Sequence, residues 1–165
     1  YQYVTGPKPL EELIVYLFTT LVYRNNTTKD AIAEGKPAPV FENITCIIHS
    51  FTELNAQLSE DGKDKLKVFL ERVTGLNVTI IFSEPIDKLS SYTYEPWFQK
   101  QVSLSDGVWV GNGIAEQYTL KINKITNDMY GEVAEDFGYV VNKGKVKLVK
   151  LLTTAASEEE AVQYA

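Results

Sequence analysis

The residues with chemistry to offer gather at the end of one apolar run. From Asn43 to Leu54 the chain reads Asn43-Ile44-Thr45-Cys46-Ile47-Ile48-His49-Ser50-Phe51-Thr52-Glu53-Leu54. Ile44 to Ile48 is apolar or β-branched at every position, the pattern of a strand buried on both faces of a parallel sheet. His49, Ser50 and Glu53 follow at its carboxyl end, the edge where an open α/β sheet binds its ligands. Nucleotide hydrolysis at such an edge calls for an Asp to hold Mg²⁺ and a Glu to orient the attacking water. His49 and Ser50 stand in those two places, and neither carries the anionic oxygen that Mg²⁺ prefers. As a general base, His49 would need an orienting acid, and Glu53 lies about one helical turn further on. A hydrogen-bonded structural histidine is the simpler reading. His49 is the only histidine and Cys46 the only cysteine, too few for a zinc site.

The remaining motifs are weaker. No Gly-x4-Gly-Lys-Ser/Thr sequence occurs, so no backbone cradle for β- and γ-phosphates is encoded. Gly111-x-Gly113 lacks the third glycine of a dinucleotide fingerprint and reads as a tight turn. Tyr92, Tyr94, Trp97 and Phe98 form an aromatic stretch that serves either as a partner-binding surface or as core filling. With Glu53 they are the candidate partner-binding residues. No catalytic, cofactor-binding or metal-binding residue is expected.

The elements that position these residues follow from periodicity. Leu10, Leu13, Ile14, Leu17, Phe18, Leu21 and Val22 make the stripe of a core-facing helix, with Glu11 and Glu12 near its positive end. Its stop is expected near Asn25-Asn26, with a last turn or a short second helix over Thr27 to Glu34. Phe51 to Leu58 reads as a short helix, and Gly62 to Thr74 as a longer one with Leu66, Phe69, Leu70 and Val73 on one face. Gly75 follows as a C-cap. Val78 to Phe82 is a second buried strand. The stretch between Ile48 and Asn77 is too long for a hairpin and suits a right-handed parallel crossover. A short helix is expected around Glu95 to Gln101, strands at Val108 to Val110 and Tyr118 to Ile122, and a helical turn within Asn127 to Ala134. Phe137 to Val141 and Lys145 to Leu151, joined by Asn142-Lys143-Gly144, read as a hairpin. The expectation is one α/β domain over residues 1–152, a parallel sheet flanked by helices and closed by a hairpin, with an exposed or helical tail over 153–165.

Composition narrows the function. The chain has 165 residues, 44% of them apolar, and a net charge of −6, enough for a compact core and unlike a nucleic-acid surface. The acidic balance equally disfavours a polybasic membrane face. No apolar run reaches the length of a membrane span, the nearest being Leu10 to Val22 with Glu11 and Glu12 inside it. The lone cysteine mildly favours a reducing compartment. Asn-x-Thr triplets at Asn26, Asn43 and Asn77 read as chance occurrences. The absence of an initiator methionine reads as a piece of something longer.

At this point the residues carry a resemblance. The order of elements resembles the later part of an FtsK/SpoIIIE-type ATPase domain: helix, Walker B strand, helix, sensor strand, closing hairpin. Tyr94-Glu95-Pro96-Trp97-Phe98 and Ser105-Asp106-Gly107-Val108-Trp109-Val110-Gly111-Asn112-Gly113-Ile114-Ala115-Glu116-Gln117 are similar to the C-terminal, degenerate ATPase module of EssC/YukB-type coupling proteins of type VIIb secretion in Firmicutes. Phe137 to Val141 and Val146 to Leu152 fit the same family. The resemblance implies a partial RecA-like, P-loop NTPase-like sheet with His49 and Ser50 at degenerate Walker B positions and no bound cofactor. It implies a non-enzymatic role in substrate recognition or regulation of export, on the cytoplasmic side of a membrane-anchored bacterial protein. The implied partners are secreted Trp-x-Gly helical-hairpin substrates, effectors and neighbouring ATPase modules, with no nucleic acid and no direct membrane contact. The rival expectation is an active translocation motor whose P-loop lies outside this chain.

Overall fold

A computed structural model gives the fold, and residues 2–151 are described. The chain divides into two compact units at Val102/Ser103, where the sequence reading had drawn one domain to residue 152. The acidic tail with Glu158 to Glu160 lies outside the described residues.

In the first unit, helix α1 spans Pro7–Ala33, longer at both ends than the apolar stripe predicts. Gly6 turns into it at φ 87°, and Pro7 and Pro9 occupy the first turn, where a missing N–H costs nothing. The helix runs on through Asn25-Asn26, and the Thr27 and Thr28 hydroxyls donate back to the carbonyls of Tyr23 (2.9 Å) and Arg24 (2.8 Å) within it. Glu11 therefore sits too far along to serve its own helix terminus. Its carboxylate instead accepts the Ser59 N–H at the start of helix α3 (Glu60–Arg72), whose N-cap is Ser59. Leu10, Ile14, Leu17 and Leu21 are buried, and α1 packs against α3. Arg24 is buried on the same stripe. It donates to the Leu76 carbonyl at 2.7 Å and lies 5.1 Å over the Phe41 ring, fixing the loop that leads into β2 (Val78–Ser83).

Strand β1 (Ile44–His49) pairs with β2 in parallel, in register from Ile44↔Val78 to His49↔Ser83, as the long crossover requires. Helices α2 (Phe51–Gln57) and α3 fill that crossover. The expected burial of both faces is overturned. Ile44, Cys46, Ile48, Val78, Ile80 and Phe82 are half-buried, while Thr45, Ile47, His49, Thr79, Ile81 and Ser83 are exposed. Ile47 is 75% and Ile81 53% accessible. The apolar run is real, but among the described residues helices cover only one face of it. Nor does the larger RecA-like sheet appear: this sheet has two strands. Burial pushes the Cys46 thiol up from its ordinary value. Helices α4 (Ile86–Leu89) and α5 (Pro96–Gln101) follow β2, with α5 against α3.

The second unit is an antiparallel sheet of order β3-β4-β5: Gly107–Val110, Phe137–Asn142 and Lys145–Lys150. The predicted hairpin is present, and Lys143 (φ 49°) and Gly144 (φ 73°) both take the positive φ of a type I′ turn. Ile114, Ala115, Met129, Tyr139 and Val141 form its core, with Trp109 packed against it. The strand expected at Tyr118 to Ile122 is absent. The Gln117 side chain accepts the N–H groups of Thr119 (2.7 Å) and Leu120 (2.6 Å) and donates to the Leu120 carbonyl (3.0 Å), so this backbone is satisfied without a ladder. Leu120 and Ile122 still turn to the core, which is the source of the misleading alternation. No helix of the described residues is long and apolar enough to cross a membrane.

Candidate functional site at the carboxyl edge of the parallel pair

The strand register sets His49 directly opposite Ser83, and His49 Nδ1 lies 3.2 Å from Ser83 Oγ. One residue on, the Ser50 N–H donates to the Ser83 carbonyl at 3.0 Å, closing the ladder. Ser50 then leaves the strand in the left-handed region (φ 57°, ψ 93°), and its hydroxyl caps α2 by accepting the Glu53 N–H at 3.3 Å. Local geometry thus engages both His49 and Ser50. Glu53 meets the site through its backbone only: His49 pairs with Ser83, and the Glu53 side chain is exposed.

Sequence reasoning sees Ser83-Glu84 at the end of the second strand without giving Glu84 a role, and it misses Thr52. Glu84 Oε2 accepts the Thr52 N–H at 3.0 Å, and Glu84 Oε1 is buried with no partner among the described residues. The Thr52 and Tyr92 hydroxyls are 2.9 Å apart. The signal for Glu84 was available: a charged residue directly after a strand, the same logic that singled out His49. As arranged, the edge is a hydrogen-bonding surface of imidazole and hydroxyl groups. Its one inward carboxylate is engaged by a helix N-terminus. No group of three or more metal-ligating side chains gathers anywhere among the described residues.

The aromatic candidates separate. Trp97 and Phe98 are 5% and 1% accessible and belong to the core. Trp97 lies 4.9 Å from Phe51 and 6.2 Å from Phe82 between ring centroids, and Phe98 6.3 Å from Phe82, so the cluster fills the space behind β2. This removes both from the candidate partner surface: apolar rings following β2 are drawn to its covered face. Tyr92 is half-buried, its ring edge-on to Phe51 at 5.0 Å with the hydroxyl outward to Thr52. Tyr94 is 86% accessible. Beside them a groove of about 220 Å³ runs between α2, α3 and this segment, lined by Phe51, Asn55, Leu66, Lys67, Tyr92 and Glu95. Glu95 closes one side by pairing with Lys67 at 3.1 Å, which raises the lysine pKa. Glu53, Tyr92 and Tyr94 remain as accessible candidates.

No protein-family model and no curated protein matches the chain. A solved structure does. This chain is similar in fold to the cytoplasmic domain of EssC. The TM-score is 0.72 over 91% of this chain, at 13% sequence identity. The chain spans 29% of the length of the EssC chain it matches, so the likeness is to one part of a longer protein. At this identity the likeness to EssC establishes the mixed α/β fold, with its parallel pair and its antiparallel sheet.

Proposed function

We propose that this chain is a non-catalytic, ATPase-like module of a type VII secretion coupling protein, acting in substrate recognition or in regulation of protein export. The observation that carries the reading is the carboxyl edge itself. In a fold shared with the EssC cytoplasmic domain, His49 bonds to Ser83, Ser50 caps α2, and Glu84 is turned onto the Thr52 N–H. A hydrolytic edge would hold acidic residues free for Mg²⁺ and water. On this reading the parallel pair is the remnant of a RecA-like, FtsK/SpoIIIE-type sheet from a Firmicutes coupling protein. The module lies on the cytoplasmic side of a membrane-anchored parent and needs no cofactor. Its partners are Trp-x-Gly helical-hairpin substrates, effectors and neighbouring ATPase modules. Tyr94, Tyr92 and Glu53 offer the accessible docking surface beside the groove.

The test pairs a turnover assay with a binding assay. Purified protein should release no phosphate from ATP above blank. A Trp-x-Gly substrate should bind wild type and bind Tyr94→Ala with a loss of about 2 kcal/mol, as expected for an aromatic anchor. The thermal melt should be unchanged, since Tyr94 is exposed. Turnover that disappears in His49→Ala would sink the non-catalytic reading. Equal binding by both proteins would remove Tyr94 from the docking surface.

A further inference from the structure

We propose that the outward face of α1 is a dimerisation surface, on which a second copy of this chain lays its own α1 antiparallel, with the two-fold axis at Thr19. The side of a helix that faces water is normally charged or polar. Helix α3 follows that rule: its exposed residues are Glu60, Asp61, Asp64, Lys67 and Arg72, all of them charged. Helix α1 does not. From Leu13 to Thr28 its single charged residue is Arg24, and Arg24 is buried. The exposed residues of that stretch are Val15, Tyr16, Thr19, Val22, Tyr23 and Asn26, spaced by three and four so that they share one face. Tyr16 and Tyr23 are 60% and 64% accessible. A continuous patch of tyrosine and valine without charge has the composition of an interface centre.

The occupant follows from the order of residues along the face. In a two-fold contact, residue i of one copy meets residue j of the other, and j meets i. With the axis at Thr19, Val15 lies opposite Tyr23 of the second copy and Tyr16 opposite its Val22, an aliphatic side chain on an aromatic ring each time. Thr19 lies opposite Thr19, and Glu12 opposite Asn26. Further out, Lys8 lies opposite Asp30, and both are exposed. At 3.6 residues per turn, all of these positions fall within about 60° of Thr19 around the helix. A parallel pair would instead set Lys8 on Lys8, Glu12 on Glu12 and Asp30 on Asp30. The charges therefore select the antiparallel arrangement. They also frame the one uncharged stretch by which chains of net charge −6 can meet closely. This inference does not rest on the proposed secretion role, so the two fail separately.

Sedimentation equilibrium of the purified protein tests it. A contact made by one helix is smaller than a standard interface, so monomer and dimer should interconvert between about 10 μM and 1 mM. Tyr23→Lys should raise the dimer dissociation constant about tenfold or more, as for an aromatic anchor. Its thermal melt at low concentration should be unchanged, since Tyr23 is exposed. Lys8→Glu should weaken the dimer about threefold by setting acid against acid, and adding Asp30→Lys should restore it. Thr19→Cys, in a Cys46→Ala background, should be joined to its counterpart by a short bismaleimide. A protein that stays monomeric throughout this range would overturn the proposal. A dimer indifferent to Tyr23→Lys would do so as well, because the contact would then lie on another face. Failure of the charge swap to restore the Lys8→Glu protein would rule out the antiparallel register.

Discussion

The two sheets differ in how they meet solvent. The antiparallel sheet of the second unit buries Tyr139 and Val141 on its core side and carries lysines along β5. Its hairpin needs no further protein to satisfy its turn. The parallel pair of the first unit has a well-packed inner side, with Phe82 against Trp97 and Phe98. Its outer side presents Ile47 and Ile81 with no charge nearby on either strand. Similar apolar content therefore has opposite uses. One sheet is finished by its own chain segment, and among the described residues the other leaves an apolar face uncovered.

Substitutions can break or sharpen this contrast, and each unit supplies its own reporter: Trp97 in the first, Trp109 in the second. The largest effects should come from the two cores. Phe98→Ala should destabilise the first unit by about 3–5 kcal/mol and Ile114→Ala the second by about 2–5 kcal/mol, read from denaturant unfolding by tryptophan fluorescence. A smaller loss at Phe98 would mean that the inner face of the parallel pair is not packed as described. Ile47→Asp in residues 1–165 should change stability by no more than about 0.5 kcal/mol, because the side chain already stands in water. A lost cooperative transition in that variant would place Ile47 inside and erase the difference between the sheets.

The smallest effect concerns Asp106. The Ser103 hydroxyl first, and then the Lys143 N–H, hold its carboxyl below the usual carboxylate range. A depressed folded pKa contributes stability that is present above the unfolded value of about 4 and is lost as pH falls through the folded one. Melts of wild type and Asp106→Asn followed by Trp109 should therefore differ at pH 6 and converge under acid, at about pH 2. A gap that stays constant with pH would show that the charge contributes nothing to the turn.

Most of the element order was legible in the sequence because periodicity reports it directly. The Ile44 to Ile48 run, the crossover and the Lys143-Gly144 turn each sit where local chemistry placed them. What escaped was whatever depends on distant partners. Glu11 was assigned to its own helix and serves α3, because a carboxylate shows its sequence neighbours and hides the Ser59 N–H it meets in space. Tyr118 to Ile122 mimicked a strand because alternation records which side chains turn inward, and Gln117 satisfied the backbone another way. At the candidate site, His49 and Ser50 were found from position alone. The bond from His49 to Ser83 and the engagement of Glu84 required knowing the strand register. Exposure of Ile47 was not legible, since an apolar residue reads the same whether its cover is present or not.

The turn at Lys143-Gly144 has a consequence for how the second unit comes into being. Its tip is gripped from two distant places. The Gly144 N–H donates to the Ser105 carbonyl at 2.8 Å and the Lys143 N–H to Asp106 at 2.9 Å, while Asn123 donates to the carbonyls of both turn residues, at 2.9 and 3.0 Å. A Cβ on Gly144 would fall 2.5 Å from Asn123 Oδ1, so that grip also leaves no room for a side chain. A hairpin in isolation closes within about 1–10 μs, and here the closed turn is then held by Ser105, Asp106 and Asn123 from earlier in the chain. The turn's full stability therefore depends on contacts that the hairpin alone does not contain. A peptide of residues 137–150 alone would then show little of the hairpin that the sequence advertises so plainly.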